Sequence, residues 1–294
     1  MHLDVVGHPL HTRSLSVALV QRSDAKLDVR AAIIDLRKRG VVPVGGDIQG
    51  PGLIHHMQLA GIVDPATATL EAIVAEQPAV AFEASATSAG ESCRDPIDAI
   101  RVLAGARLDD SFRRDLIIDG HEPAAGRILL ALQLTDLHFA PALPLARPIE
   151  RFAGELEFRV LAEVELAGLR LARITGAERR RGRADLAEAS WRDRDDLLQG
   201  LVGMGLGPGV TGELLTRLGE ADARDRPLRD ALLMLAPTLV QCAATLAEGW
   251  MVAAQRSSSI VGMGALPDSC YMWRRGGALW RARQDEGSEP PRQD

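Results

Sequence analysis

Gly52-Leu-Ile-His-His-Met-Gln-Leu-Ala-Gly-Ile-Val63 is the stretch on which the reading of this chain turns. It is apolar and strand-like, and it is the one place where two histidines stand side by side. In a strand successive side chains point to opposite faces, so His55 and His56 are predicted to part company. One then reaches the interior while the other meets solvent.

Working outward, residues 14–21 alternate weakly, and residues 26–36 put Leu27, Val29, Ala31 and Ile33 on one face. With the turn-like Arg22-Ser-Asp-Ala25 between them, they read as a hairpin. Residues 39–52 are rich in glycine and proline and read as a connection. Residues 55–63 and 69–75 make a second hairpin around Asp64-Pro65, and residues 83–92 are a polar linker. At Asp95-Pro96 the period changes. Asp95 is the expected N-cap and Pro96 the first helical residue, with Ile97, Ile100, Leu103 and Ala104 on one helical face. Residues 109–118 and 124–137 supply two more helices before a proline-rich boundary at Pro141, Pro144 and Pro148.

The order then repeats. Residues 156–166 and 169–177 form another hairpin, and the basic run from Glu178 to Arg183 follows as a solvated loop. Helices are expected at 195–204, 209–218 and 228–249. Leu103-Ala-Gly-Ala-Arg-Leu108 aligns with Leu201-Val-Gly-Met-Gly-Leu206, and a duplication would set the His55 hairpin opposite the one carrying Glu157 and Phe158; the alternative is two ordinary helical hairpins that share Leu/Gly patterning. The fold expected is α+β, built as two related modules. Each is a short antiparallel sheet followed by helices, and they pack about a pseudo-two-fold axis. The modules run over residues 1–143 and 144–283, with a disordered tail at 284–294.

Composition narrows the function. The 294 residues are 46% hydrophobic and 25% charged, as in an ordinary soluble globular protein. Aromatics at 3% are too few for a base-stacking platform, and a net charge of −6 opposes polyanion binding, so no nucleic acid is expected. Cys93, Cys242 and Cys270 are widely separated, which argues against a disulfide framework or zinc site and for a cytoplasmic location. Neither a signal peptide nor a membrane span is expected.

Several short motifs together carry a resemblance. They are His11-Thr-Arg13, Arg22-Ser-Asp24, Leu27-Asp-Val29, Asp35, Ile54-His-His-Met-Gln-Leu59 and Cys93 ahead of Ile100-Arg-Val-Leu-Ala-Gly105. The last is Asp268-Ser-Cys-Tyr-Met-Trp-Arg-Arg-Gly-Gly277. The chain resembles the bacterial family catalogued as domain of unknown function 2889 over residues 8–140, with a weaker echo at 195–280. That family has His-Asp-Met where this chain has His55-His56-Met57, and a Cys-Thr-His-Leu motif without a counterpart here. The resemblance implies a fold neighbourhood and no activity.

The candidate catalytic residues are His55, His56, His121 and Asp35. An imidazole titrating near neutrality is a natural acid or base, set here against a hydrogen-bonded core histidine beside a surface one. His121 lies next to Glu122, which could orient it, although an interhelix turn is the plainer reading. Asp35 at a strand end could partner a histidine, with solvation at the surface as the plainer reading. His8 and His11 show no metal-ligand motif with His55, so no metal is expected. Gly203 to Gly209 follows a helix and lacks a Lys-Ser/Thr ending, which favours helix-end chemistry over phosphate binding. Cys270 reads as structural, and Trp273 and Trp280 as cover for an apolar edge.

The function expected is that of an enzyme acting on a small, partly apolar molecule by acid/base chemistry, of hydrolase, lyase or isomerase type. It uses no cofactor, and a homodimer is left open. The alternative is a non-catalytic small-molecule-binding or assembly protein.

Overall fold

The buried side of the sheet follows from alternation. Between Leu27 and Arg37, residues Val29, Ala31, Ile33, Asp35 and Arg37 are buried, while Arg30, Ile34 and Leu36 between them are exposed. In the computed structural model the described residues are 8–44, 47–86, 88–107, 154–165, 170–182, 192–205, 210–218, 232, 235, 238, 242, 245 and 271–288.

Four long strands, β1 (His11–Gln21), β2 (Leu27–Arg37), β5 (Gly52–Asp64) and β6 (Thr69–Ala79), form one antiparallel sheet in the order β1-β2-β5-β6. The expected connection at 39–52 contains a small hairpin of its own, β3 (Val42–Val44) with β4 (Asp47–Gln49). His11 and Arg13, which the sequence reading put ahead of the first hairpin, are inside β1. The inner face carries Val29, Ala31, Ile33, Met57, Leu59, Val63, Leu70 and Ile73, covered by Ile100 and Leu103. Those two belong to a 3₁₀ helix, Ile97–Leu103, in which Pro96 takes the N-cap position expected of Asp95. Asp95 instead accepts hydrogen bonds from Ser92 N and the Tyr271 hydroxyl.

Strands β7 (Gly154–Glu165), β8 (Arg170–Gly182) and β9 (Arg192–Asp193) form a second antiparallel sheet. Here the reading of the basic run as a loop is overturned. Strand β8 continues through Gly182, and Glu178 is buried because Arg194 donates to it at 2.8 Å. The helix expected at 195–204 is shorter: a single turn, α1 (Asp195–Leu198), runs into a 3₁₀ turn, Gln199–Leu201. Helix α2 (Val210–Leu218) follows, and Leu232, Leu235, Thr238 and Thr245 are helical. Leu171, Ile174, Leu198, Leu201, Met204, Val210, Leu214 and Leu232 share this second core.

The two hairpins meet their helical turns in the same way. Leu70 N donates to Ala106 O, and Gly105 N to Leu70 O; Leu171 N donates to Met204 O, and Gly203 N to Leu171 O. Gly105 and Gly203 both hold positive φ, at 88° and 81°, which lets the chain turn back onto the strand. The polar segment 83–92 is no loose linker. Ser88 and Ser92 are buried, and Glu91 accepts from Arg274 at 2.6 Å and from Ala278 N at 3.1 Å. Trp273 meets Phe82 edge-on with ring centroids 6.1 Å apart, sharing a cluster with Cys93, Met272 and Leu279. Helix α3 (Ala278–Ser288) takes in the first five residues of the tail expected from 284, and 289–294 lie outside the described residues. Among the described residues the architecture is thus mixed, with antiparallel sheets and few, short helices. The helices expected at 109–118 and 124–137 lie outside the described residues.

Candidate functional site

A carboxylate at an inward strand position must be hydrogen-bonded or it forfeits several kcal/mol of hydration. Asp35 has no solvent exposure and is saturated by its neighbours. Arg13 donates from Nε to Oδ1 at 2.7 Å and from Nη2 to Oδ2 at 2.6 Å, a two-pronged geometry that matches guanidinium to carboxylate. His11 Nε2 lies 3.0 Å from Oδ1, and His55 Nδ1 lies 2.9 Å from Oδ2. The reading of Asp35 as a solvated surface residue is therefore corrected, and its alternative, a histidine's carboxylate partner, is what the geometry provides.

Register brings these groups together. Arg13 pairs with Asp35 across β1 and β2, and Asp35 pairs with His55 across β2 and β5. The next pair is Leu36 with Leu53, so Ile54 is an extra residue in β5. This bulge lets Ile54 and His55 both turn inward, at 2% and 6% exposure. His56 goes to the other face, where it lies 3.0 Å from Gln58 Nε2 on the exposed side. The predicted divergence of the two imidazoles is observed. His121 lies outside the described residues.

The electrostatics set the tautomers. Burial disfavours the charged form of Asp35, but Arg13 and the bonds from His11 and His55 outweigh it and hold the carboxyl well below its usual range. An ionised carboxylate only accepts, so His55 presents N–H at Nδ1 and His11 at Nε2. Burial pushes the His55 pKa down against the pull of Asp35, with Arg13 and His11 adding to the push. A neutral His55 ring then carries its lone pair on Nε2. Arg37, also buried, is lowered to about 10 by desolvation, opposed by Asp35, and remains charged at neutral pH. Its Nη1 donates to the main-chain and side-chain oxygens of Gln49 at 3.1 and 3.0 Å, and Gln49 Nε2 donates to Ala81 O at 2.5 Å.

Chemically, an imidazole fixed through Nδ1 by a buried carboxylate is the base-and-orienter pair of nucleophilic and proton-transfer sites. The sequence reading found Asp35, His55 and His56, weighed His11 only as a metal ligand and assigned no role to Arg13 or Arg37. The signal was there in His11-Thr-Arg13 and Asp35-Leu-Arg37, two pairs of ionisable residues at i, i+2 spacing on strands. Among the described residues no three His, Cys, Asp or Glu side chains gather to hold a metal.

His11, Arg13, Asp35, Arg37 and His55 lie within one stretch of recognisable sequence. Residues 11–119 match DUF2889, described as a protein of unknown function. The DUF2889 match agrees with the resemblance read from the motifs, and it ends before the second hairpin unit begins. No curated protein and no solved structure matches the chain. Among the described residues no helix is long and apolar enough to cross a membrane.

Proposed function

We propose that this chain is an enzyme acting on a small, partly apolar organic molecule by proton transfer, of hydrolase, lyase or isomerase type. His55 is its acid/base and Asp35 the group that orients it. The observation that carries this reading is the 2.9 Å contact between His55 Nδ1 and a buried Asp35. The lowered His55 pKa supports it, because a neutral imidazole at physiological pH is the form that abstracts a proton. Arg13 keeps Asp35 ionised, which keeps the tautomer fixed. Burial of Cys93 and Cys242 as thiols supports a reducing, cytoplasmic setting.

Deuterium wash-in from D₂O, followed by NMR across a panel of small ketones, esters and amides, tests the reading. Exchange is expected with the native chain and with His56→Gln, and its loss with a folded His55→Gln. Equal exchange by His55→Gln would overturn it.

The parallel between Leu70 with residues 105–106 and Leu171 with residues 203–204 supports internal duplication of the hairpin-and-turn unit. A second functional reading, assembly, is favoured by Ile34, Leu36, Leu53 and Val74, all exposed on the sheet's outer face. Sedimentation of Leu53→Glu checks it: a self-associating native chain and a monomeric variant would favour assembly.

A further inference from the structure

Gln77 lies on β6 at 5% exposure, and among the described residues neither its Nε2 nor its Oε1 has a hydrogen-bond partner. Whichever way the amide is flipped, one donor and one acceptor group stay unmatched. Buried polar groups are normally bonded, so an orphaned amide calls for an explanation.

The second hairpin unit supplies a contrast. Gln77 is seven residues beyond Leu70, and Glu178 is seven beyond Leu171, the two residues that bond their respective helical turns. Both side chains are buried. Glu178 receives Arg194, the N-cap residue of α1, at 2.8 Å. The N-cap residue of the Ile97–Leu103 helix is Pro96, which offers neither a side-chain donor nor an N–H. One position in two similar frames is thus closed by an internal partner in one and left unmatched in the other.

Gln77 is also close to His55. Gln58 pairs with Glu76 and His56 with Ala79, so a bulge sets Gln77 and Pro78 together against Met57, in the stretch of β6 that runs beside His55. The chain surfaces there: Pro78 is exposed, and Ala79, Val80 and Ala81 are half-buried.

We propose that Gln77 is a substrate-binding residue and that the molecule acted on beside His55 carries a carboxamide. Its carbonyl accepts from Gln77 Nε2 and its N–H donates to Oε1, so one planar group satisfies both atoms. The inference rests on the acid/base reading of His55 and names the substrate class for that site.

The test is calorimetric titration of the full chain with benzamide, against benzoate and toluene as controls. Benzamide is expected to bind in preference to both, and Gln77→Leu to weaken it by at least about tenfold. The double variant Gln77→Glu with Pro96→Arg copies the Glu178–Arg194 pair into the first unit. It is expected to melt no lower than the native chain and to bind no benzamide. Equal benzamide affinity in folded Gln77→Leu, or no benzamide binding by the native chain, overturns the proposal. Failure of the His55 reading shows separately, because benzamide binding survives His55→Gln if Gln77 is the anchor, whatever that variant does to deuterium exchange.

Discussion

The two hairpin units solve one packing problem with different polar interiors. In both, a leucine near the start of a strand bonds a turn that ends in a left-handed glycine, and the helical residues before the turn fill the core. Above that shared floor the second unit buries, among its described residues, the ion pair of Glu178 with Arg194. The first buries Asp35 with His11, Arg13 and His55, and beside them an unmatched Gln77. The Glu178–Arg194 pair holds no titratable ring, and its natural reading is structural. A carboxylate that fixes an imidazole through Nδ1 decides which tautomer that ring presents. The difference teaches that burial of charge is common to both units, and that the titratable ring singles out the first.

The sharpest way to break this comparison is to remove the charge at each centre. Asp35→Ala strands an arginine and two imidazoles at once, so a loss of about 5 kcal/mol is expected in urea unfolding, at the upper end for broken buried pairs. Glu178→Ala strands Arg194 alone and is expected to cost about 3 kcal/mol. If the two losses are reversed, the first cluster is not the better-built one. Replacing the whole second pair, Glu178→Met with Arg194→Leu, should come out near neutral, as suits a pair with only a structural task.

A smaller effect separates the units by pH. The folded-state pKa values of His55 and Asp35 both lie below their ordinary values of 6.5 and 3.8. Between its folded and unfolded values each group binds more protons when unfolded, so stability rises with pH through that window. The contribution is complete above the unfolded value and is lost as pH falls through the folded one. Urea midpoints of the native chain should therefore decline as pH drops below 6.5, then again in the acid range as Asp35 protonates. In His55→Gln the decline just below 6.5 should vanish while the acid one stays. Persistence of the upper decline would place its source elsewhere.

The smallest expected effect sharpens what the units share. Gly105→Ala and Gly203→Ala each put a side chain at positive φ with nothing within 4 Å of the new Cβ, so only backbone strain acts. Each is expected to cost about 1–2 kcal/mol. Costs that agree within error support a common frame, whereas one neutral and one costly substitution would show that the likeness of the turns is superficial.

Much of the strand layout was legible from alternation alone, since the run from Leu27 to Ile33 and the run from His55 to Val63 have one apolar face each. The opposed His55 and His56 followed from the same period. What misled was local polarity. Glu178-Arg-Arg-Arg reads as a loop because four charges in a row resemble a solvated segment, yet strand pairing with β7 satisfies its backbone and Arg194 neutralises Glu178. Asp35 reads as a surface residue for the same reason. Its partners are 20, 22 and 24 residues away in sequence, so no local pattern announces them. Pro96 ends up at the cap because the segment before it is held by Ser92 and Asp95, bonds invisible to periodicity.

By itself the sequence determined which residues alternate, where strands yield to turns, and that one of two adjacent imidazoles must point inward, because these follow from backbone geometry within a few residues. Only the tertiary structure decided that the inward one meets a buried carboxylate held by Arg13 and His11. That outcome depends on the register of three strands and on one bulge at Ile54, and register is fixed by packing across the whole sheet.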